Sequence, residues 1–248
     1  MARPLRIELP DAIYHVTSRS NDGKAIFLDD VDRRKFTALL GQAVQTFGWS
    51  LTAWTLMTNH FHLVFQTPEP NLARGMHWLN SCYVGWFNRR HKKRGHLFQG
   101  RYASILVQDE AHLRDVLRYV ALNPVRAKMV ARPENYRWSS YRETIGLVPA
   151  EPWLDTGTLL SLFDVEPEAA LTIYREFVVA KIDSSERLWE RLIHRRYLGS
   201  ESWAKAMLEL ARPRSRSTGP PRPSDSPGRP AQVTSTASSL PERPRIHA

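Results

Sequence analysis

The run Leu56-Met57-Thr58-Asn59-His60-Phe61-His62-Leu63-Val64-Phe65 constrains this chain more than any other segment. Side chains of a strand alternate between faces, so an extended run points His60 and His62 one way and Phe61, Leu63 and Phe65 the other. Two imidazoles then share one sheet face while the opposite face is apolar. Neutral imidazole is the commonest protein metal ligand, and such a pair suits a divalent ion with open coordination positions. The same pattern also arises from two polar-face residues of a half-buried strand, so the rest of the chain has to decide. A metal site needs further oxygen or nitrogen ligands, and a catalytic one needs a nucleophile.

The 248 residues carry a formal net charge of +10 at pH 7, a balance that favours polyanions such as nucleic acid. The charge is locally concentrated: Arg89, Arg90, Lys92, Lys93 and Arg94 lie within one short segment, flanked by Trp86, Phe87 and Phe98. Cations neutralise phosphates and aromatics stack on unpaired bases. A solvated helix end complementing the helix dipole accounts for one or two of these cations, not for all. The single cysteine, Cys82, rules out an internal disulfide and fits a reducing compartment. No apolar run approaches the roughly 20 residues that cross a bilayer, and the start Met1-Ala2-Arg3-Pro4-Leu5-Arg6 lacks a signal-peptide core. A cytoplasmic location and no membrane partner are expected.

Periodicity predicts strands over residues 13–19, 49–57 and 101–108, with Thr58-Asn59 turning the second into the histidine strand. It predicts helices over residues 30–47, about 71–90, and 110–122. The last should stop at Asn123-Pro124, because proline disfavours helical geometry in the residue before it. The order βαββαβα predicts an α+β fold: a ferredoxin-like antiparallel sheet with helices on one face. Residues 1–131 form the chemistry-bearing domain, residues 132–211 a mainly helical accessory extension. From 212 to 248, Pro, Ser and Arg dominate, and a segment that buries so little is expected to be a disordered basic arm.

The third helix supplies what the histidines lack. Tyr119 and Asn123 are four apart and share a helix face, while Leu113, Val116, Leu117 and Val120 form the apolar stripe. Asn123 offers an oxygen ligand and Tyr119 a phenol able to attack phosphorus once deprotonated. A free phenol ionises near pH 10, so attack at neutral pH needs a metal-polarised phosphate or a base. A tyrosine packed at the sheet edge is the plainer alternative. Tyr83 is the rival nucleophile, although its spacing with Leu79, Met76 and Trp86 suits core packing. His15 is the rival ligand, expected instead to be a sheet residue with a satisfied hydrogen bond.

These residues resemble the single-tyrosine HUH transposases, and more specifically the REP-associated tyrosine transposases, which act on single-stranded DNA. The resemblance spans roughly residues 1–145. Besides the histidine run it rests on Ile13-Tyr14-His15-Val16-Thr17-Ser18-Arg19, Gly95-His96-Leu97-Phe98-Gln99-Gly100-Arg101-Tyr102, Tyr119-Val120-Ala121-Leu122-Asn123-Pro124-Val125-Arg126-Ala127 and Trp138-Ser139-Ser140-Tyr141. It implies that His60, His62 and Asn123 bind Mg²⁺ or Mn²⁺ and that Tyr119 becomes linked to a DNA 5′ phosphate. It further implies an endonuclease and transposase acting near hairpin-forming repeats, with single-stranded or hairpin DNA as partner and room for a homodimer. Arg19, Arg89, Arg90, Lys92, Lys93, Arg94 and Arg101 are the expected DNA contacts. Two other readings stand beside it: a catalytically silent hairpin-binding protein, and a nuclease working through activated water.

Overall fold

The computed structural model describes residues 7–184 and 188–210; the basic arm expected from residue 212 lies outside them. The chain runs β1 (Ala12–Arg19), α1 (Asp30–Phe47), β2 (Ser50–Leu56), β3 (His60–Thr67), α2 (Leu72–Arg90), β4 (Ala103–Val107) and α3 (Glu110–Arg126). After these come α4 (Tyr141–Thr144), α5 (Thr156–Ser161), α6 (Pro167–Val179), β5 (Tyr197–Leu198) and α7 (Glu201–Leu210). The strands align as β2-β3-β1-β4-β5, all antiparallel except β4 with β5. The first four strands carry the ferredoxin-like order. Among the described residues no helix is long and apolar enough to cross a membrane.

Local chemistry sets the helix ends. The Asp29 carboxylate accepts from the amides of Val31 and Asp32 (2.9 and 3.1 Å) and starts α1, and Gly48 ends it at φ 65°, a left-handed conformation that costs glycine no Cβ clash. Asp109 caps α3 by accepting from the His112 amide at 3.0 Å.

The placement of the helices departs from the one-face expectation. Phe61, Leu63 and Phe65 of β3, with Tyr14 and Val16 of β1, meet Phe36 and Leu40 of α1 and Met76, Leu79 and Tyr83 of α2. On the opposite face Val64, Ala53, Ile105 and Val107 meet Leu113, Val116, Leu117 and Val120 of α3. Helices therefore cover both faces. The cause is in the strands: β4 reads Ala-Ser-Ile-Leu-Val and is apolar on both sides, and Val64 continues the histidine face of β3 as an apolar surface. Tyr141, Leu159, Tyr174 and Val178 extend this second core.

The α3 helix also continues through Asn123-Pro124 to Arg126. Pro124 has no N–H to offer the carbonyl four residues back, that of Val120. Thr55 Oγ1 of β2 donates to that carbonyl instead, at 3.0 Å, so the buried acceptor is satisfied and the helix is not forced to stop.

The residues after α3 protect the sheet edges. Along β2, Leu56 N donates to Trp138 O (2.9 Å), Ser140 N to Trp54 O (2.9 Å) and Asp155 N to Leu51 O (2.8 Å). Along β4, Leu106 N donates to Arg196 O (2.8 Å) and Gln108 N to Leu198 O (3.0 Å).

Thr55→Val, which keeps shape but removes the donor, is expected to destabilise the fold by about 1–3 kcal/mol, the usual cost of orphaning a buried acceptor. Pro124→Ala restores a backbone N–H to Val120 O. A urea-melt double-mutant cycle should therefore show Thr55→Val costing distinctly less in the Pro124→Ala background.

Candidate functional site

The antiparallel register of β1 with β3 sets Thr17 opposite His62 and Arg19 opposite His60. Both histidines point to the α3 face, their ring centroids 5.0 Å apart. His62 is buried and His60 half-buried. Tyr119 sits on the α3 surface turned to this face, its ring 5.5 Å from that of His62 and edge-on to it. Two separate segments, β3 and α3, thus bring an imidazole pair and a phenol ring together.

His15 joins them. Its ring stacks on His62 at 5.1 Å and lies 5.8 Å from Tyr119. His15 Nε2 and His62 Nδ1 are 2.9 Å apart, a hydrogen bond in which one nitrogen carries the proton. This is the sheet residue with a satisfied hydrogen bond that the alternation predicts, but its partner is a candidate ligand. His60 Nδ1 lies 2.7 Å from Asn59 Oδ1. An amide oxygen only accepts, so Nδ1 of His60 holds the proton and Nε2 keeps its lone pair. His62 presents Nε2 in the same way when its Nδ1 donates to His15.

All three rings are held neutral. Burial pushes His15 down to about 3. Burial and then the Arg19 charge push His60 down to about 4. Burial, with smaller contributions from His15, His60 and Arg19, holds His62 well below the ordinary histidine range. Neutral imidazoles with oriented lone pairs are the form that takes a divalent cation. Among the described residues no group of three His, Cys, Asp or Glu side chains forms a metal cage. Any further donors would be amide, phosphate or water oxygens, a hard set suited to Mg²⁺ or Mn²⁺. Asn123, buried one turn beyond Tyr119, donates its Nδ2 to Tyr119 O at 3.1 Å. That bond turns its amide nitrogen inward along the helix.

Sequence reasoning missed His15 as a partner of the pair, and it missed the cations around Tyr119. The Arg126 guanidinium lies 5.4 Å from the Tyr119 ring centroid. Arg118 and Arg191 both pair with Asp115 in a small recess that Tyr119 also lines. Arg126 follows Tyr119 by seven residues, two helical turns on one face, and that spacing was the available signal.

The expected DNA contacts fall into different settings. Arg19 and Arg101 are exposed and line one cavity with Thr17 and Gln99. Arg89, Lys92, Lys93 and Arg94 are exposed at and after the end of α2. Arg90 is committed elsewhere: it donates to Asp29 (2.7 Å) and to the fully buried Asp32, while His91 lies 2.9 Å from the same Asp32 carboxylate. These contacts tie α2 to the start of α1. Tyr83 lies in the first core, on the opposite sheet face, and donates its hydroxyl to Ile26 O at 2.6 Å. Burial and the nearby Asp32 push its phenol far up, and it lies away from the histidine face.

A family described as "Transposase IS200 like" matches residues 9–123. No curated protein matches the sequence. Among solved structures, a REP-associated tyrosine transposase bound to a REP hairpin superimposes with a TM-score of 0.52 at 15% identity, over 62% of this chain and 94% of that one. A Deinococcus radiodurans R1 protein described as a transposase gives a TM-score of 0.36 at 17% identity, over 48% of this chain and 95% of that one. Yeast (Saccharomyces cerevisiae) tRNA(His) guanylyltransferase gives 0.39 at 10%, over 75% and 85%. At these identities the first of the three speaks for the fold.

The depressed histidines make stability depend on pH in a stated direction. Their native values lie below the unfolded value near 6.5, so the unfolded chain binds more protons as pH falls and stability is lost on acidification. Thermal or urea melts should be nearly flat in this contribution above pH 7. Below pH 6.5 stability should fall by up to about 1.4 kcal/mol per pH unit for each of these histidines, continuing toward pH 4 for His60. His15→Gln should flatten this slope; an unchanged slope would show that another group drives it.

Proposed function

Residues 9–123 match the IS200-like transposase family, and from that match we propose that the protein cuts and rejoins single-stranded DNA beside hairpin-forming repeats through a covalent link to Tyr119. The observation that carries this reading is the convergence of His60, His62 and Tyr119 on one spot from β3 and α3. Binding alone requires none of the three. The hairpin in the partner's place is suggested by the solved transposase of the same fold, which holds a REP hairpin.

A bound Mg²⁺ or Mn²⁺, held by Nε2 of His60 and of His62 with the Asn123 amide oxygen as a further donor, would polarise the scissile phosphate and stabilise the charge that develops on it. The rest is done by the chain. Tyr119 Oη attacks phosphorus, a Tyr–O–P bond forms and the P–O3′ bond breaks; the phenol gives up its proton and the departing 3′ oxygen gains one. Arg126, whose guanidinium lies 5.4 Å from the Tyr119 ring centroid, adds positive charge beside the ring and so favours the phenolate form that attacks. A free 3′ hydroxyl then reverses the step on a new partner, so no nucleotide cofactor is consumed. When His15 Nε2 accepts from His62 Nδ1, it leaves Nε2 of His62 to face the ion.

Incubation of the protein and Mg²⁺ with labelled single-stranded hairpin DNA should give an adduct stable on a denaturing gel. Tyr119→Phe should abolish it while leaving hairpin binding nearly intact. A mutant that still cuts without forming the adduct would favour attack by activated water instead, and a wild-type protein that binds without cutting would favour the silent hairpin-binding reading.

The role given to His15 has its own measurement. His15→Phe keeps ring volume but removes the acceptor, and Mn²⁺ affinity by spin-resonance titration should fall about 10–100-fold. His15→Gln, whose Oε1 can accept from His62 Nδ1, should retain most of the affinity. Equal affinity for wild type and His15→Phe would detach His15 from the metal site.

A further inference from the structure

The residues 95–102 stand out in the sequence, yet nothing in the tyrosine chemistry uses them. Residues 96–98 and 100–102 of this stretch form one wall of a cleft of about 680 Å³ whose other wall is α2. The volume lies within the span of about 300–1,000 Å³ typical of small-ligand pockets. We propose that this cleft holds one unpaired nucleobase of the single strand and that Asn80 reads it. The proposal rests on the single-stranded DNA reading above and adds where, and how, a base is chosen.

Asn80 carries the argument. Its Nδ2 donates to Ser18 Oγ at 3.3 Å, which anchors the amide to β1. Its Oδ1 is buried and accepts no hydrogen bond from the protein, although Asn80 lines the cleft. A buried carbonyl oxygen without a donor is costly, and a small turn of the Asn80 amide toward the cleft lets a base that offers an amine satisfy it. Adenine, cytosine and guanine carry an exocyclic amine; thymine offers only its ring N3–H, flanked by two carbonyl oxygens that would crowd the Asn80 oxygen. His77 of α2 and His96 of the facing wall are exposed at the cleft and can flank a base with flat rings.

The cleft also leads to the histidines. The β1–β4 ladder ends at Thr17 opposite Ala103, and contact with β1 resumes only where Gln99 N donates to Arg19 O at 3.0 Å and Ser20 bridges Phe98. Between these points Gly100, Arg101 and Tyr102 leave the ladder. Gly100 and Arg101 line the cleft and also a second cavity, of about 420 Å³, which includes Thr17 and Arg19. Those two residues are the register partners of His62 and His60. A strand whose base sits against Asn80 can therefore pass Arg101 and Arg19, which neutralise its phosphates, toward the imidazole pair.

The test uses the full chain and hairpin oligonucleotides with a single-stranded flank, each flank position carrying in turn A, C, G, T or an abasic site. Anisotropy titrations at fixed salt should find one position where an amine-bearing base binds about tenfold tighter than thymine or the abasic site. Asn80→Leu should level that preference. Gly85→Phe should do so as well, because a Cβ at Gly85 meets nothing within 4 Å and the ring fills the cleft from a helical position. Both variants should still bind the bare hairpin and form the tyrosine adduct, which shows that they fold. A base preference that survives both substitutions, or no preference at any position, overturns the cleft proposal alone. Failure of the wild type to bind any of these DNAs overturns it together with the reading on which it rests.

Discussion

The pairing of β1 with β3 is the constraint from which the site follows. The two strands are separated in sequence by α1 and β2, and their antiparallel ladder runs over eight pairs from Ala12 opposite Thr67 to Arg19 opposite His60. Because side chains alternate with a period of two, a slip of one residue would turn His15 away from His62 and bury Phe61 against α3. The apolar face of β3 prevents such a slip, since Phe61, Leu63 and Phe65 are fully buried among α1 and α2. Core packing on one face thereby fixes polar geometry on the other. The His15–His62 hydrogen bond is the point at which the two strands' chemistries meet.

What could be read from the sequence follows from periodicity. The α1 limits coincide with the predicted 30–47, and the alternation in β3 places His60 and His62 together because a strand offers no other arrangement. The helix that carries Tyr119 was legible from its stripe of Leu113, Val116, Leu117 and Val120. Contacts that depend on register or on distant segments were not. His15 meets His62 only once β1 is paired with β3. Arg90, to all appearance one cation of a basic run, is bound by Asp29 and Asp32 sixty residues earlier. The two residues of β5 carry no period at all.

The continuation of α3 past Pro124 shows how a local rule yields to a tertiary one. Proline withdraws one donor, and the sequence around it cannot reveal that a threonine on β2 replaces it. Asn123 consequently stays within the same helical register as Tyr119 instead of falling into a loop. That regularity keeps Tyr119 and Asn123 on one helix face, and the β2 hydroxyl supplies it from outside the helix.

Both margins of the antiparallel sheet are closed by the chain's own later segments, residues 138–155 along β2 and 196–198 along β4. An exposed margin is the ordinary template on which a second copy adds its strands. With those hydrogen-bonding groups already occupied, lateral fusion of two sheets is blocked unless the later segments first peel away. The phenol and the imidazoles stand together within one polypeptide, so no exchange of helices is required to assemble them. Copies that paired through helix or loop surfaces instead would each keep His60, His62 and Tyr119 together on one chain. Neither copy in such a pair would depend on the other for its histidines or for the tyrosine ring beside them.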